Sequence, residues 1–536
     1  MVRRRVRKHP YRLHISGLVA VLVLLLVVLV LMLVRTRSVS LSPDNFVPLA
    51  LPHPDDLVKQ EEHLALLALV APGTESVTAV KTGMWSDPTV WSGGQIPGNE
   101  AKVLIPLGMV VTVDGKRSER LWWIRVNGEL RFREDVVTEL LVDTLIVDVS
   151  GKLTMGTKDA PIAGNVIARI VFIDRGVIDT TWDPHLLSRG LISHGALEVY
   201  GEERTAFVSL AVAPVKGATE LMLDVPVKNW RVGDEVKIPS TEYRDEIVNR
   251  PSLYDYEETR IIRSISSDGL RVGVDALVYD HLPPVISGFP MLDTYVVHMT
   301  RNVILESESK QDATRHGHIM IMHSPKVDAR YFAAIDTGRT TTQPATDPVV
   351  VNGVLQSGGE NVRGRYMFHF HRTVPNVGAV PALVKGAVVR QSVDRIGARW
   401  GYVNHDSHVV FEDDVSYNVP GAGFVTEIGN EVGIFRRNFA LRSVTNAINS
   451  LASSDIREHN DWGVEGSGFW GESPLPVYED NVAAEHSGFG FTLFPFGKTE
   501  GGRTESPVVL GANIPSELRK IMPKDPDGVP NSFNSG

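Results

Sequence analysis

Residues 103–153 read VLIPLGMVVTVDGKRSERLWWIRVNGELRFREDVVTELLVDTLIVDVSGKL. Short aliphatic runs at 103–106, 110–113, 121–126 and 140–149 are broken at Asp114-Gly115, Asn127-Gly128 and Ser150-Gly151. Runs of this length, rich in β-branched residues and bounded by glycine turn pairs, read as β-strands. The same texture continues through 167–173 and 198–238 with few helical stretches between. The chain is therefore expected to be all-β.

Further along, a weak repeat appears. Gln391-Ser392-Val393, Asp413-Asp414-Val415, Arg437-Asn438-Phe439 and Asp480-Asn481-Val482 each set a polar pair before an apolar residue. The apolar positions lie 22, 24 and 43 residues apart, the last read as about two periods. A period in the twenties made of strand and turn predicts stacked coils, that is, a right-handed parallel β-helix, with a large sandwich as the alternative.

The other end of the chain is different. Residues 15–34 are twenty apolar residues without charge or proline, about 30 Å as a helix, which matches a bilayer's hydrocarbon core. Arg3, Arg4, Arg5, Arg7, Lys8 and Arg12 precede them; Arg35 and Arg37 follow. This asymmetry predicts a single-pass transmembrane signal anchor, N-terminus in the cytoplasm and the remainder outside the cell. A cleaved signal peptide is the alternative, but its apolar region is shorter and ends at small residues. Residues 1–14 form the basic cytoplasmic tail, and 35–76 a linker whose one short helix, over 57–70, is read as a spacer.

Composition is that of a globular protein, 43% hydrophobic and 22% charged. Net charge is −10, and the first 37 residues hold eight basic residues and no acid, so the rest is more acidic still. An acidic ectodomain excludes a general nucleic-acid binder. With no cysteine there are no disulfides and no thiol nucleophile, so an external protein of this kind must rely on a large core.

A family resemblance joins the two halves. Gly83-Met84-Trp85-Ser86-Asp87-Pro88, Trp91, Gly93-Gly94, Ile96-Pro97-Gly98 and Gly108 resemble the opening of a G-eight domain, an extracellular all-β module; Asn127-Gly128-Glu129-Leu130 and Gly151-Lys152-Leu153 resemble its later strands. Residues 316–324 (HGHIMIMHS), 364–371 (GRYMFHFH) and 415–431 resemble the β-helix of the cell-migration-inducing and transmembrane hyaluronidases. Bacterial proteins share this layout, and the chain is read as one of them. The resemblance implies a G-eight module at 77–200, a β-rich connection at 201–300, a parallel β-helix at 301–505 and a tail at 506–536.

Chemistry is expected from the histidines first. In a strand alternate side chains share a face, so His369 and His371 project together as metal ligands or an acid–base pair. His318 or His323, on a neighbouring coil, would complete a metal cluster holding a divalent cation. Between 361 and 400 lie Arg363, Arg365, Arg372, Lys385, Arg390, Arg395 and Arg399, opposed only by Asp394; from 401 to 431 only acids occur. Arginines inside an acidic protein suit a carboxylated polysaccharide, because the guanidinium fork pairs with carboxylates; Arg363, Arg365, Arg372, Arg395 and Arg399 are the substrate-binding candidates. The competing account is an inter-coil ion-pair ladder. Glu427 and Glu431 fall on the family's acidic motif and are the catalytic carboxylates, with His369 and His371. Tryptophans 85, 91, 122 and 123 are expected to plug the ends of the β-module rather than stack on sugars.

The chain departs from the family in three places. Thr426-Glu427-Ile428-Gly429-Asn430-Glu431 lacks the usual aspartate. Gly421-Ala422 stands where a histidine is expected. In Val403-Asn404-His405-Asp406 the histidine is displaced by one position, which in a strand predicts the opposite face. The expected function is a membrane-anchored, extracytoplasmic, hyaluronidase-like glycoside hydrolase acting on a uronic-acid polysaccharide, or a non-catalytic glycan-binding, adhesion or structural surface protein.

Overall fold

The computed structural model describes residues 57–241, 256–283 and 292–493, with breaks at 325, 353, 374–379, 394–396, 430 and 445–462, and the strand residues 497–498 and 504–505. The apolar run at 15–34 lies outside the described residues. No helix among those described is long and apolar enough to cross a membrane.

Three walls of parallel strands build one solenoid. One wall is a ten-stranded parallel sheet running from Gly83–Met84 through Val110–Val113, Glu129–Phe132, Lys152–Met155 and Ala196–Tyr200 to Val327–Arg330, Ala382–Lys385, His408–Glu412, Val432–Arg436 and Val477–Glu479. A second wall carries Gly190–Ser193, His318–Met322, Phe368–His371, Tyr402–His405, Ala422–Thr426 and Ser467–Gly471. The third stacks Ala168–Phe172, Val303–Ser307, Phe332–Ile335, Val388–Arg390, Val415–Tyr417, Phe439–Leu441 and Val482–Ala484. The stack is continuous: Ala196–Tyr200 pairs directly with Val327–Arg330.

Between those two strands, the described residues of 207–298 fold outward as an inserted module, before the chain returns to the solenoid at Val303–Ser307. Its antiparallel strands Phe207–Ser209, Tyr295–His298, Glu235–Ile238 and Glu258–Ile261 enclose their own core around Leu221, Trp230, Val236 and Val272.

Alternation explains the solenoid interior. Tyr402, Phe424, Phe469 and Phe491 stack ring on ring at 4.7 to 4.8 Å, the spacing of hydrogen-bonded strands. The repeated polar pair also has a physical role. Asp413, Arg437 and Asp480 take left-handed backbone (φ 58°, 49° and 51°) at the corner entering the third wall. The next residues, Asp414, Asn438 and Asn481, form a buried ladder: Asp414 accepts from the Ala387 N–H, Asn438 from the Asp414 N–H and Asn481 from the Asn438 N–H.

The repeat reading needs two corrections. Val415 pairs with Phe439, 24 residues on, as read; but Phe439 pairs directly with Val482, so the 43-residue interval is one long coil, not two. The longer interval does not shift the strand register. On the other side Val415 pairs with Val388, not Val393.

The helix Leu57–Leu69 forms where expected but is no spacer. Leu66 and Leu69 pack on Trp123, Ile146, Ile192, Met320 and Met322, so the helix covers the outer face of the second wall. Trp85 and Trp91 are buried edge to face at 4.8 Å near the first coil, as plugging requires; Trp123 is buried instead on the outer face under the helix, and Trp122 is only partly buried and lies beneath Lys102 and Arg175.

Candidate functional site

Phe368 and Phe370 fill the solenoid core, so His369 and His371 face outward together, as alternation requires. Register then adds a third histidine. Phe370 pairs with Asn404 and His371 with His405, so the one-position displacement puts His405 on the outward face, not away from it. The corresponding nitrogens of His369, His371 and His405 all lie within 4.8 Å of one another. His371 Nδ1 is 3.2 Å from His405 Nδ1.

Glu427 follows the next strand and meets this cluster. Its Oε2 lies 3.1 Å from His405 Nδ1 and 3.8 Å from His369 Nε2, while its Oε1 accepts from the buried Tyr366 hydroxyl at 2.8 Å. Burial would raise this carboxyl, but His405 beside it, with Arg363, outweighs burial and holds Glu427 well below the usual carboxylate range. Burial pushes His369 down to about 3, only partly opposed by Glu427, so this ring is neutral at physiological pH. Its Nδ1 donates to the Gly364 carbonyl at 2.8 Å, which leaves Nε2 with a lone pair.

A small cleft opens over the cluster, lined by His318, His371, His405, Glu427, Arg363 and Arg365, with Glu62 and Leu66 of the helix also lining it. His369 lies behind these residues, fully buried.

Other expected site residues are placed differently. His318 lines the cleft, but its Nδ1 is tied into the fold, 2.9 Å from both the Arg189 carbonyl and an Arg339 guanidinium nitrogen, and its ring is not one of the three clustered histidines. Burial and the nearby Arg339 and Arg365 hold it neutral, well below its ordinary pKa. His323 occupies a left-handed corner (φ 56°), donates to the Arg372 carbonyl, and packs with His63 and His194 instead of the cluster. Glu431, expected to be catalytic, is a brace: it accepts from the N–H groups of Glu427, Ile428 and Gly429 at 2.7 to 3.0 Å and of Asp406 at 3.4 Å, fixing the loop that carries Glu427.

Among the arginines, Arg363 sits at the cleft, its Nε–H shared between the two carboxylate oxygens of Asp347 at 3.1 and 3.2 Å. Arg365 donates to the carbonyls of Leu186, Arg363 and His185 and approaches Glu62 at 3.5 Å, so it ties the helix and loops together. Arg399 is fully buried and donates to the carbonyls of Thr341 and Gln343. These bonds hold the fold, which corrects the substrate-binding expectation for Arg399; Arg365 also lines the cleft. Arg372 occupies a left-handed corner, and Arg395 lies outside the described residues. The ion-pair ladder is real on another wall, where Lys385, Glu412, Arg436 and Glu479 stand in register, with Lys385–Glu412 and Arg436–Glu479 each at 2.6 Å. Sequence reading misses Tyr366, puts His405 on the wrong face and reads the helix as a spacer; strand register is the signal that finds His405.

Comparisons with known proteins agree with this architecture. The G8 domain family matches residues 90–211 and the CEMIP beta-helix family residues 338–514. A G8 domain-containing protein of Dictyostelium discoideum is 25% identical over 298 residues, 54% of this chain and 23% of that protein. Protein rliB of the same organism is 23% identical over 358 residues, 65% of this chain and 28% of its own length. Communication mutant protein F, also from Dictyostelium, is 23% identical over 304 residues, 55% and 24%. The chain thus spans about a quarter of the length of these curated relatives, none of which is bacterial. Among solved structures, the Gp54 tailspike of Acinetobacter baumannii bacteriophage AP22, in complex with capsular saccharide, covers 67% of this chain and 55% of its own at 12% identity. Its TM-score of 0.16 is too low to support an argument.

Proposed function

Because the chain is a G8-domain, CEMIP-like β-helix protein, we propose that its cleft on the second wall binds and cleaves a uronic-acid-containing polysaccharide of the hyaluronan type. The observation that carries the reading is the convergence of Glu427, His371, His405 and Arg363 on one solvent-open cleft formed by consecutive coils. Arg363 is the arginine for a sugar carboxylate, its fork exchanging Asp347 for the substrate.

Cleavage by the paired-carboxylate route needs two carboxyls across the bond. Glu431 is withdrawn into its loop, so Glu427 acts with neighbouring histidines and not with Glu431. The apolar run at 15–34 serves in this reading as the anchor that presents the cleft outside the cell. The second reading, glycan binding without turnover, is favoured by the same single carboxylate and by Ala422 in place of the family histidine.

The test incubates the full chain with hyaluronan and related uronic-acid polymers and follows chain length. Shortening by the chain and not by Glu427→Gln supports cleavage. Retention of polymer without shortening selects the binding protein, and neither outcome with any polymer removes the glycan reading.

A further inference from the structure

We propose that His369, His371, His405 and Glu427 hold one divalent transition-metal ion. The set comes from three successive coils: two residues of Phe368–His371, the last of Tyr402–His405, and the residue after Ala422–Thr426. Three of its internal distances are close to those of a coordination shell, and the three histidine nitrogens lie within 4.8 Å of one another. Donor atoms placed tetrahedrally about 2.1 Å from an ion are about 3.4 Å apart. Here His371 Nδ1 to His405 Nδ1 is 3.2 Å, Glu427 Oε2 to His405 Nδ1 is 3.1 Å, and Glu427 Oε2 to His369 Nε2 is 3.8 Å.

Orientation gives a second, independent argument. The Gly364 carbonyl takes the Nδ1 proton of His369, so its Nε2 lone pair points at the carboxylate oxygen of Glu427. Both atoms are buried; His369 Nε2 has no hydrogen-bond partner, and Glu427 Oε2 has His405 Nδ1 alone at 3.1 Å. A proton on His405 Nδ1 satisfies the carboxylate in part but leaves the His369 nitrogen facing it. Buried lone pair against buried lone pair is costly unless a cation lies between them.

The outer partners are those expected around a metal. The Gly364 carbonyl fixes the tautomer of His369, and the Tyr366 hydroxyl holds the other oxygen of Glu427. Three imidazoles and one carboxylate select zinc, cobalt, nickel or iron over calcium or magnesium, which prefer all-oxygen shells. His371, His405 and Glu427 line the cleft while His369 lies behind them, so the open side of the set faces the cleft, where a water or substrate oxygen completes the shell. The inference shares the cleft with the glycan reading but is tested without glycan, so either can fail alone.

The full chain, purified in detergent and stripped with a chelator, is titrated with Zn²⁺ by calorimetry and with Co²⁺ by visible absorption. One equivalent of each is expected, with a cobalt band that Zn²⁺ bleaches. His405→Ala and Glu427→Gln are expected to weaken Zn²⁺ binding by more than about 100-fold, beyond the loss of an outer partner. His323→Ala, outside the set, keeps wild-type affinity. If His405→Ala does not fold, Glu427→Gln decides, since its amide oxygen still accepts from Tyr366. Folded wild-type chain that takes up no stoichiometric Zn²⁺ or Co²⁺, or equal affinity in Glu427→Gln, would overturn the proposal.

Discussion

Asn404 and His405 show how one residue position decides a site. Asn404 is buried and its amide donates to the Val432 carbonyl, whereas His405, one step on, joins His371 outside. From the sequence alone the displaced histidine was assigned to the wrong face, because the strand's register against Phe368–His371 is set by pairing between coils, which no local pattern encodes. The pairing of His369 with His371 was legible, because it needs only the two-residue alternation within one strand.

The two glutamates of the acidic motif are distinguished by burial of a different kind. Glu431 satisfies several backbone N–H groups, so Glu431→Ala is expected to lower stability by about 3 kcal/mol or more, read by urea denaturation. Glu427→Gln keeps the bond from Tyr366 and is expected to change stability far less while losing ligand binding; equal destabilisation by both would contradict these roles. His298 supplies a pH dependence. Burial, aided by Arg301 and opposed by Asp234, lowers it to about 4, so it is neutral in the fold and takes up a proton on unfolding below its ordinary value near 6.5. Its contribution is complete above pH 6.5 and is lost as pH falls towards 4, by about 1.4 kcal/mol per pH unit. The stability gap between the chain and His298→Gln should therefore shrink across that window; a constant gap would refute it.

At the scale of elements, the helix Leu57–Leu69 is the clearest case of a role hidden from the sequence. Its apolar residues were visible, but what they pack against lies far along the chain at Trp123, Ile192 and Met320. Leu66→Ala is expected to cost about 2 to 5 kcal/mol and to raise amide exchange of the helix selectively. A variant with unchanged exchange would show that the helix does not close the cleft. The aromatic column is different: Phe424 lies between Tyr402 and Phe469, and Phe424→Ala should cost about 3 to 5 kcal/mol, since a gap in a stack cannot close without shifting strands. The polar pairs before Val415, Phe439 and Val482 made the coil period readable, because each corner needs a left-handed residue and a ladder residue. The long coil between Phe439 and Val482 was misread because its added length mimics a second period.

The whole molecule is one stack with an inserted module. All-β content was legible throughout; the continuity of the coils was not, because residues 201–300 separate the strands at 196–200 and 327–330 that pair in space. A fragment ending at residue 200 would expose the edge strand Gly190–Ser193, with its partners at His318–Met322 missing, and is expected to self-associate in light scattering. A monodisperse folded monomer would contradict the continuous stack. Charge follows the same plan, with the in-register ladder of Lys385, Glu412, Arg436 and Glu479 on one wall and the histidines and Glu427 on another.

That division makes the glycan claim open to one direct measurement, the affinity of the full chain for a hyaluronan oligosaccharide before and after chemical reduction of its carboxylates to alcohols. The account predicts that the native oligosaccharide binds and that reduction, or Arg363→Ala in the protein, weakens binding at least tenfold, as loss of a forked guanidinium–carboxylate pair of about 1.5 to 3 kcal/mol requires. Equal affinity for the native and reduced sugars, or none for either, would contradict it.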